Sequence, residues 1–320
     1  MVSLAIAILK TARPRQWLKN LSIFAALVFT GNLYEEDLFK LTLVGFVALS
    51  FLVSSVYFIN DVFDVESDRV HPFKRRRPIA SGRLSIPLAL FLSLLGVVGA
   101  FLLSYTLSRT FFWALFSYFI LQIIYTLWLK KLVILDILVI ATGFVLRVYA
   151  GVFLIDAHLN VWFLLCVVSV SLFLAAGKRR AELALLHANA SQHRKTLGMY
   201  SPNLLDSYLS MFATATWLSW ALFTFFTDAQ RDFYVSRAVA PDLLSSLPLA
   251  ILGVGKPLMI TIPVVVFGVM RYLQIVYDGS RAETPERVLT SDRPLLGSII
   301  IWGLLVLFVI YFLTPRADGF

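Results

Sequence analysis

From Ile86 to Leu107 the chain runs long enough to cross a bilayer without one charged side chain, and five other stretches do the same. They are Leu41–Ile59, Thr110–Leu129, Leu159–Gly177, Ser207–Thr227 and Pro294–Pro315. A helix crossing the hydrocarbon core takes about 20 apolar residues, and lipid accepts only backbone whose polar groups are paired internally. Ile137–Ile155, with Arg147 as its one charge, and Pro257–Tyr277, with Arg271, bring the total to eight. Leu21–Tyr34 is shorter and is expected to extend back through Trp17. The expected fold is all-α and polytopic, with nine transmembrane helices in one integral membrane domain over residues 1–320. Charged residues make up 15% of the chain, against about 25% in a soluble domain.

Most of the 28 lysines and arginines fall in the N-terminal segment and in the loops after the second, fourth, sixth and eighth spans. Positive residues favour the cytoplasmic side. A multi-pass protein of the inner (cytoplasmic) membrane follows, with its N-terminus inside and its C-terminus outside. "MVSLAIAIL" has no basic residue ahead of its apolar stretch and does not read as a cleaved signal. "KTARPRQWLKN" reads as a basic, amphipathic lead-in at the interface. Cys166 is the single cysteine, so no intrachain disulfide forms. "LLSSLPLAILG", within Asp228–Lys256, is expected as a re-entrant or interfacial helix.

The positive-inside rule leaves the acids unexplained, because Asp and Glu contribute little to orientation. "NDVFDVESD", Asn60 to Asp68, closes the second span with three aspartates. At about 100° per residue, Asp64, Asp68 and Asp61 lie near 40°, 80° and 100° from Asn60, and Glu66 near 240°. Four oxygen-bearing side chains share one stripe while Glu66 points away. Hard oxygen ligands of this kind suit Mg²⁺, which uses one or two carboxylates and completes its shell with phosphate oxygens. The plainer alternative is a solvated acidic helix end balanced by neighbouring arginines.

Next comes "HPFKRRRPIASGR", His71–Arg83, where Pro72 and Pro78 define a loop bearing Lys74 and Arg77. Beside a metal stripe these cations read as a phosphate clamp, and His71 as an acid-base or loop-ordering group. The fourth span ends with Tyr125, Lys130 and Lys131. Asp136 and Arg147 share a face of the fifth span, about three turns apart, and a lone intramembrane arginine is expected in a polar cavity or paired with an acid. Lys178, Arg179, Arg180 and Glu182 end the sixth span. Arg271, Gln274 and Asp278 line one side of the eighth. Together these residues outline a cavity for a ligand with several phosphates.

"NDVFDVESD" resembles the first aspartate motif of the UbiA superfamily of intramembrane prenyltransferases, whose nine-span fold agrees with the count above. Ordinary members carry a second Asp-rich motif, but here the corresponding stretch after the sixth span reads "KRRAELALLHANASQHRKTLGMYS", with one acid. "ARPRQWLKN", "NDVFDVESDRVHPFKRRRPIASG", "LDILVIATGFVLRVYAG", "KRRAEL" and "RYLQIVYDGSRAETPERVLTSDRPL" resemble the decaprenyl-phosphate phosphoribosyltransferase branch over nearly the whole chain.

That resemblance implies a phosphoribosyl diphosphate donor, a polyprenyl phosphate acceptor and release of diphosphate. It implies Asp61, Asp64 and Asp68 as catalytic residues, with Mg²⁺ on the stripe Asn60, Asp61, Asp64 and Asp68. Lys74 and Arg77 would hold the diphosphate and Lys178 and Arg179 the 5-phosphate. Lys19, Tyr125, Lys130, Arg147, Glu182 and Arg271 complete the expected substrate-binding set, and the lead-in around Lys19 would recruit the lipid phosphate. The expected partners are the two substrates and the bilayer, with a homo-oligomer allowed and no nucleic acid. An aromatic prenyltransferase would need a second carboxylate cluster. A transporter would place its charges along a midplane pathway, whereas here nearly all crowd one end.

Overall fold

The computed structural model describes residues 2–70, 74–158, 160–186, 197–227, 256–278, 288 and 291–313. His71 and the stretch 228–255, including the expected re-entrant segment, lie outside the described residues, as do 187–196. Among the described residues every regular element is helical. They form two compact units, the first running to His158 and the second built from the helices after it.

In the first unit, α1 (Val2–Ala12) leads into a 3₁₀ segment over Pro14–Phe24 and a short α2 (Ala25–Phe29). α3 (Glu36–Phe63) carries the second apolar stretch and breaks at Asp64 before α4 (Val65–Val70). α5 (Ile86–Leu107), α6 (Arg109–Leu127) and α7 (Leu135–Leu154) follow. The core joins Ile23, Leu49, Leu52, Phe111, Leu115 and Leu154. Its opposite face is inverted relative to a soluble protein: Leu94, Leu95 and Leu102 of α5 stand exposed, as hydrocarbon allows.

Between helices in lipid there is little hydrophobic drive, so close backbone approach does the packing. Gly151 of α7 is such a contact. A Cβ built there would lie 2.0 Å from the Ile23 carbonyl oxygen, so only glycine lets the 3₁₀ segment seat against α7.

The second unit holds α8 (Val161–Leu186), α9 (Pro202–Phe226), α10 (Ile262–Tyr277) and α11 (Arg293–Phe308). Phe173, Leu209, Ala213, Val269, Tyr272 and Leu295 form its core. Ser201 and Asp292 cap α9 and α11, with Pro202 at the first position of α9 and Pro294 at the second of α11.

Among the described residues, eight helices are long and apolar enough to cross a membrane, and the protein is a multi-pass membrane protein. The opening segment is the ninth expected span, and it is the one expected to be short. Its eleven 3₁₀ residues and five α residues still reach about 30 Å, at roughly 2.0 and 1.5 Å per residue.

Candidate functional site

The expected acidic stripe survives the break at Asp64. The Asp64 amide donates to the Asn60 carbonyl at 2.9 Å and the Asp68 amide to the Asp64 carbonyl at 2.8 Å. Helical register therefore continues across the junction. Asp61 and Asp68 are buried, Glu66 is exposed as the angular arithmetic requires, and Asp64 is half-buried.

Cations reach this stripe from three separate parts of the first unit. Arg77, in the loop after α4, donates from Nη1 to Asp68 Oδ2 at 2.7 Å and to Asp61 Oδ1 at 3.1 Å. Lys130, just past α6, lies 2.8 Å from Asp64 Oδ1. Arg13, before the 3₁₀ segment, donates to Asp61 Oδ1 and stacks over the Tyr57 ring at 4.6 Å. One turn before Lys130, the Thr126 hydroxyl donates to Asn60 Oδ1. The partners thus repeat the stripe's spacing, with 126 and 130 facing 60 and 64. Charge-assisted hydrogen bonds of this kind are about twice as strong as neutral ones.

The sequence reading did not assign Arg13 or Thr126 to the site. Arg13 is 48 residues from Asp61 and lies in the quoted "ARPRQWLKN", where only Lys19 was singled out. Thr126 is a neutral side chain inside a span and gives no charge signal.

No three metal-ligating side chains are gathered into a complete cation cage among the described residues. The donor set still fits Mg²⁺, because that ion needs only one or two carboxylates when phosphate oxygens and water supply the rest. Asp61, pinned by two arginines, is the least available of the four; Asn60, Asp64 and Asp68 present the remaining oxygens.

Arg147 is buried in α7, yet its partners are not acids. Nε donates to Asn20 Oδ1 at 3.1 Å, Nη1 to the Gly143 carbonyl at 3.0 Å and Nη2 to the Tyr118 hydroxyl at 2.6 Å. Its guanidinium also lies 4.9 and 5.3 Å from the Tyr118 and Phe144 ring centres. Lys19 sits 5.9 Å from the same Phe144 ring. Lys74 is exposed on the loop that carries Arg77, and Tyr125 is half-buried one residue before Thr126.

In the second unit, Arg179 is fully buried and pairs with Glu182 three residues on. Lys178 is 4.0 Å from the same carboxylate. Arg271 grips Asp292 with two hydrogen bonds, Nε to Oδ1 at 3.1 Å and Nη2 to Oδ2 at 2.7 Å, and donates to Gln274 at 2.8 Å. Asp292 lies just outside the last span, and its hydrogen bond to Arg271 holds its carboxyl below the usual aspartate range.

The chain is similar to curated decaprenyl-phosphate phosphoribosyltransferases. That of Mycolicibacterium smegmatis is 33% identical over 306 residues, 94% of this chain and 91% of the relative. That of Corynebacterium glutamicum is 30% identical over 318 residues, 97% and 88%. Among solved structures, a UbiA homolog from Archaeoglobus fulgidus bound to GPP and Mg²⁺ superposes with TM-score 0.67 at 17% identity. The match covers 95% of this chain and 99% of that one. A structure described as digeranylgeranylglyceryl phosphate synthase matches with TM-score 0.64 at 14% identity. At such identities the structures speak to fold alone. The UbiA prenyltransferase family model matches residues 21–288, and the chain belongs to the UbiA prenyltransferase family.

Proposed function

We propose that this protein transfers the 5-phosphoribosyl group of phosphoribosyl diphosphate to a polyprenyl phosphate, releasing inorganic diphosphate. The observation that carries the reading is the carboxylate stripe of α3 and α4, ringed by Arg13, Arg77 and Lys130, in a chain similar end to end to phosphoribosyltransferases. The whole chain, residues 1–320, acts as one catalytic domain in this reading. Its acidic motif and N-terminus face the cytoplasm, where a soluble donor meets a lipid acceptor.

The bond from the ribose C1 to the diphosphate oxygen breaks, and the diphosphate leaves with the electron pair. A phosphate oxygen of the lipid closes on C1 from the opposite face. That oxygen is already anionic, so no general base is needed, and the work is positioning and charge stabilisation. Mg²⁺, when bound, supplies neutralisation of charge on the diphosphate, and Asn60, Asp64 and Asp68 are the residues that would hold it. Arg77 and Lys130 are the cations for the departing diphosphate, with Lys74 on the same loop. Lys178 and Arg179 are assigned the 5-phosphate by residue type alone. Lys19 is assigned the lipid phosphate.

The test is incubation of the purified full-length protein with polyprenyl phosphate, phosphoribosyl diphosphate and Mg²⁺, with mass spectrometry of the lipid. Phosphoribosylated lipid that disappears with EDTA and with Asp64→Ala is the expected result. Turnover of a prenyl diphosphate with an aromatic acceptor, and none of phosphoribosyl diphosphate, would overturn it.

A further inference from the structure

The 3₁₀ segment and the Arg13 before it are held to α3 by a ladder of polar contacts, one per turn of α3. Arg13 meets Asp61, the Tyr57 hydroxyl donates to Gln16 Oε1 at 3.4 Å, and Trp17 Nε1 donates to Ser54 Oγ at 3.0 Å. Asn20 Nδ2 donates to Ser50 Oγ at 3.1 Å. On α3 these positions are 61, 57, 54 and 50, a single helical face. At its foot Asn20 is buried and held from the other side by Arg147 of α7.

The lengths match 3₁₀ geometry better than α-helical geometry. Asp61 and Ser50 are eleven residues apart, about 16 Å along an α-helix. Arg13 and Asn20 are seven apart, about 14 Å at the 3₁₀ rise but only about 10 Å at the α rise. The 3₁₀ rise therefore matches the span from Asp61 to Ser50 more closely than the α rise does. Runs of 3₁₀ helix beyond three or four residues are uncommon, so an eleven-residue run needs anchoring at both ends. Arg13 itself sits at φ 53 and ψ 61, a left-handed conformation that costs a non-glycine residue energy.

We propose that Asn20 and Arg147 are positioning residues for the aspartate motif: they fix the register of the 3₁₀ segment and so set Arg13 on Asp61. The buried guanidinium is the lower anchor. It donates a charge-assisted bond to Asn20 Oδ1 and two more to the Gly143 carbonyl of α7 and the Tyr118 hydroxyl of α6. The consequence for catalysis rests on the proposed function; the geometry does not.

The experiment is a double-mutant cycle in the full-length protein in lipid nanodiscs, with Asn20→Ala, Arg13→Gln and the double variant. Sites more than about 7–10 Å apart normally act additively, and these are about 14 Å apart by the 3₁₀ rise. We expect Asn20→Ala to lower kcat/KM for the phosphoribosyl donor about tenfold, with the acceptor KM unchanged and the double variant no worse than Arg13→Gln. Effects that multiply overturn the proposal. A purely structural Asn20 would reduce the folded fraction and leave the donor kcat/KM of the folded remainder as it was, which also overturns it. Ser50→Ala, which spares the bond to Arg147, is the milder variant should Asn20→Ala fold poorly, and is expected to act in the same direction.

Mn²⁺ binding measured by EPR gives a readout that does not need turnover. If the wild type fails to use phosphoribosyl diphosphate but Asn20→Ala weakens Mn²⁺ binding, the positioning role stands and the proposed reaction falls. If turnover is present and Asn20→Ala changes neither it nor Mn²⁺ affinity, the positioning role alone falls.

Discussion

The ammonium of Lys130 lies 2.8 Å from Oδ1 of Asp64 across a sequence separation of 66 residues. That contact ties the end of α6 to the junction between α3 and α4, and it gives the half-exposed aspartate of the stripe its cation. Under the proposed reaction Lys130 is a ligand of the departing diphosphate. Lys130→Gln is then expected to lower kcat/KM for the donor about a hundredfold, while Lys130→Arg keeps most of it. Steady-state kinetics with the donor varied would decide, and an unchanged donor kcat/KM would count against the assignment.

Asp61 and Asp64 should separate stability from activity. The Asp61 side chain is 3% exposed and paired to two arginines, whereas that of Asp64 is 36% exposed. Removing one member of a buried ion pair costs about 3–5 kcal/mol, but a pair screened by solvent is worth about 0–1 kcal/mol. Asp61→Asn is expected to lower the unfolding temperature in detergent clearly, and Asp64→Asn to leave it nearly alone while abolishing turnover. Equal destabilisation by the two would refute this division.

Gly151→Ala places a methyl group against the Ile23 carbonyl, where the backbone has no room to retreat without leaving α7. Overpacking of this kind costs about 1–3 kcal/mol. Thermal unfolding of the variant reads it directly, and a wild-type Tm would show that the 3₁₀ segment is not seated there.

Asp292 supplies an acid-sensitive contribution. It accepts two bonds from Arg271 and one from the Leu295 amide at the start of α11. Its folded pKa lies below the ordinary 3.8, first through the hydrogen bond to Arg271. The stabilisation is therefore complete above pH 3.8 and is lost as pH falls through the lower folded value. Asp292→Asn keeps a capping oxygen but loses the ion pair. The Tm difference between wild type and this variant should be constant near neutrality and shrink at the acid end. A difference independent of pH would argue against the pair.

Much of this arrangement was legible in the sequence. Spans without charge fix helices wherever lipid forbids unpaired backbone, and Asn60, Asp61, Asp64 and Asp68 fall on one stripe by angular arithmetic alone. The partners were harder to read. Arg147 shares a face with Asp136 in sequence, yet its guanidinium turns to Asn20, Gly143 and Tyr118, two of them on other elements. Periodicity reports which face a residue occupies and not what stands opposite. The sequence did carry one unused signal: Ser50, Ser54, Tyr57 and Asp61 form a polar line along an otherwise apolar span. Such a line in a membrane helix calls for a polar neighbour, and the neighbour is the opening segment. Nothing in "RPRQWLKN" announces 3₁₀ geometry, because the register of that segment is imposed by contacts on α3 and α7.

The ladder also sets where this protein tolerates changes in length. Adding or deleting one residue between Arg13 and Asn20 would swing everything beyond it by about 120°, turning Asn20 away from Arg147 or Arg13 away from Asp61. Insertions and deletions are therefore excluded between Arg13 and Asn20, so the segment's residue count is as constrained as its chemistry.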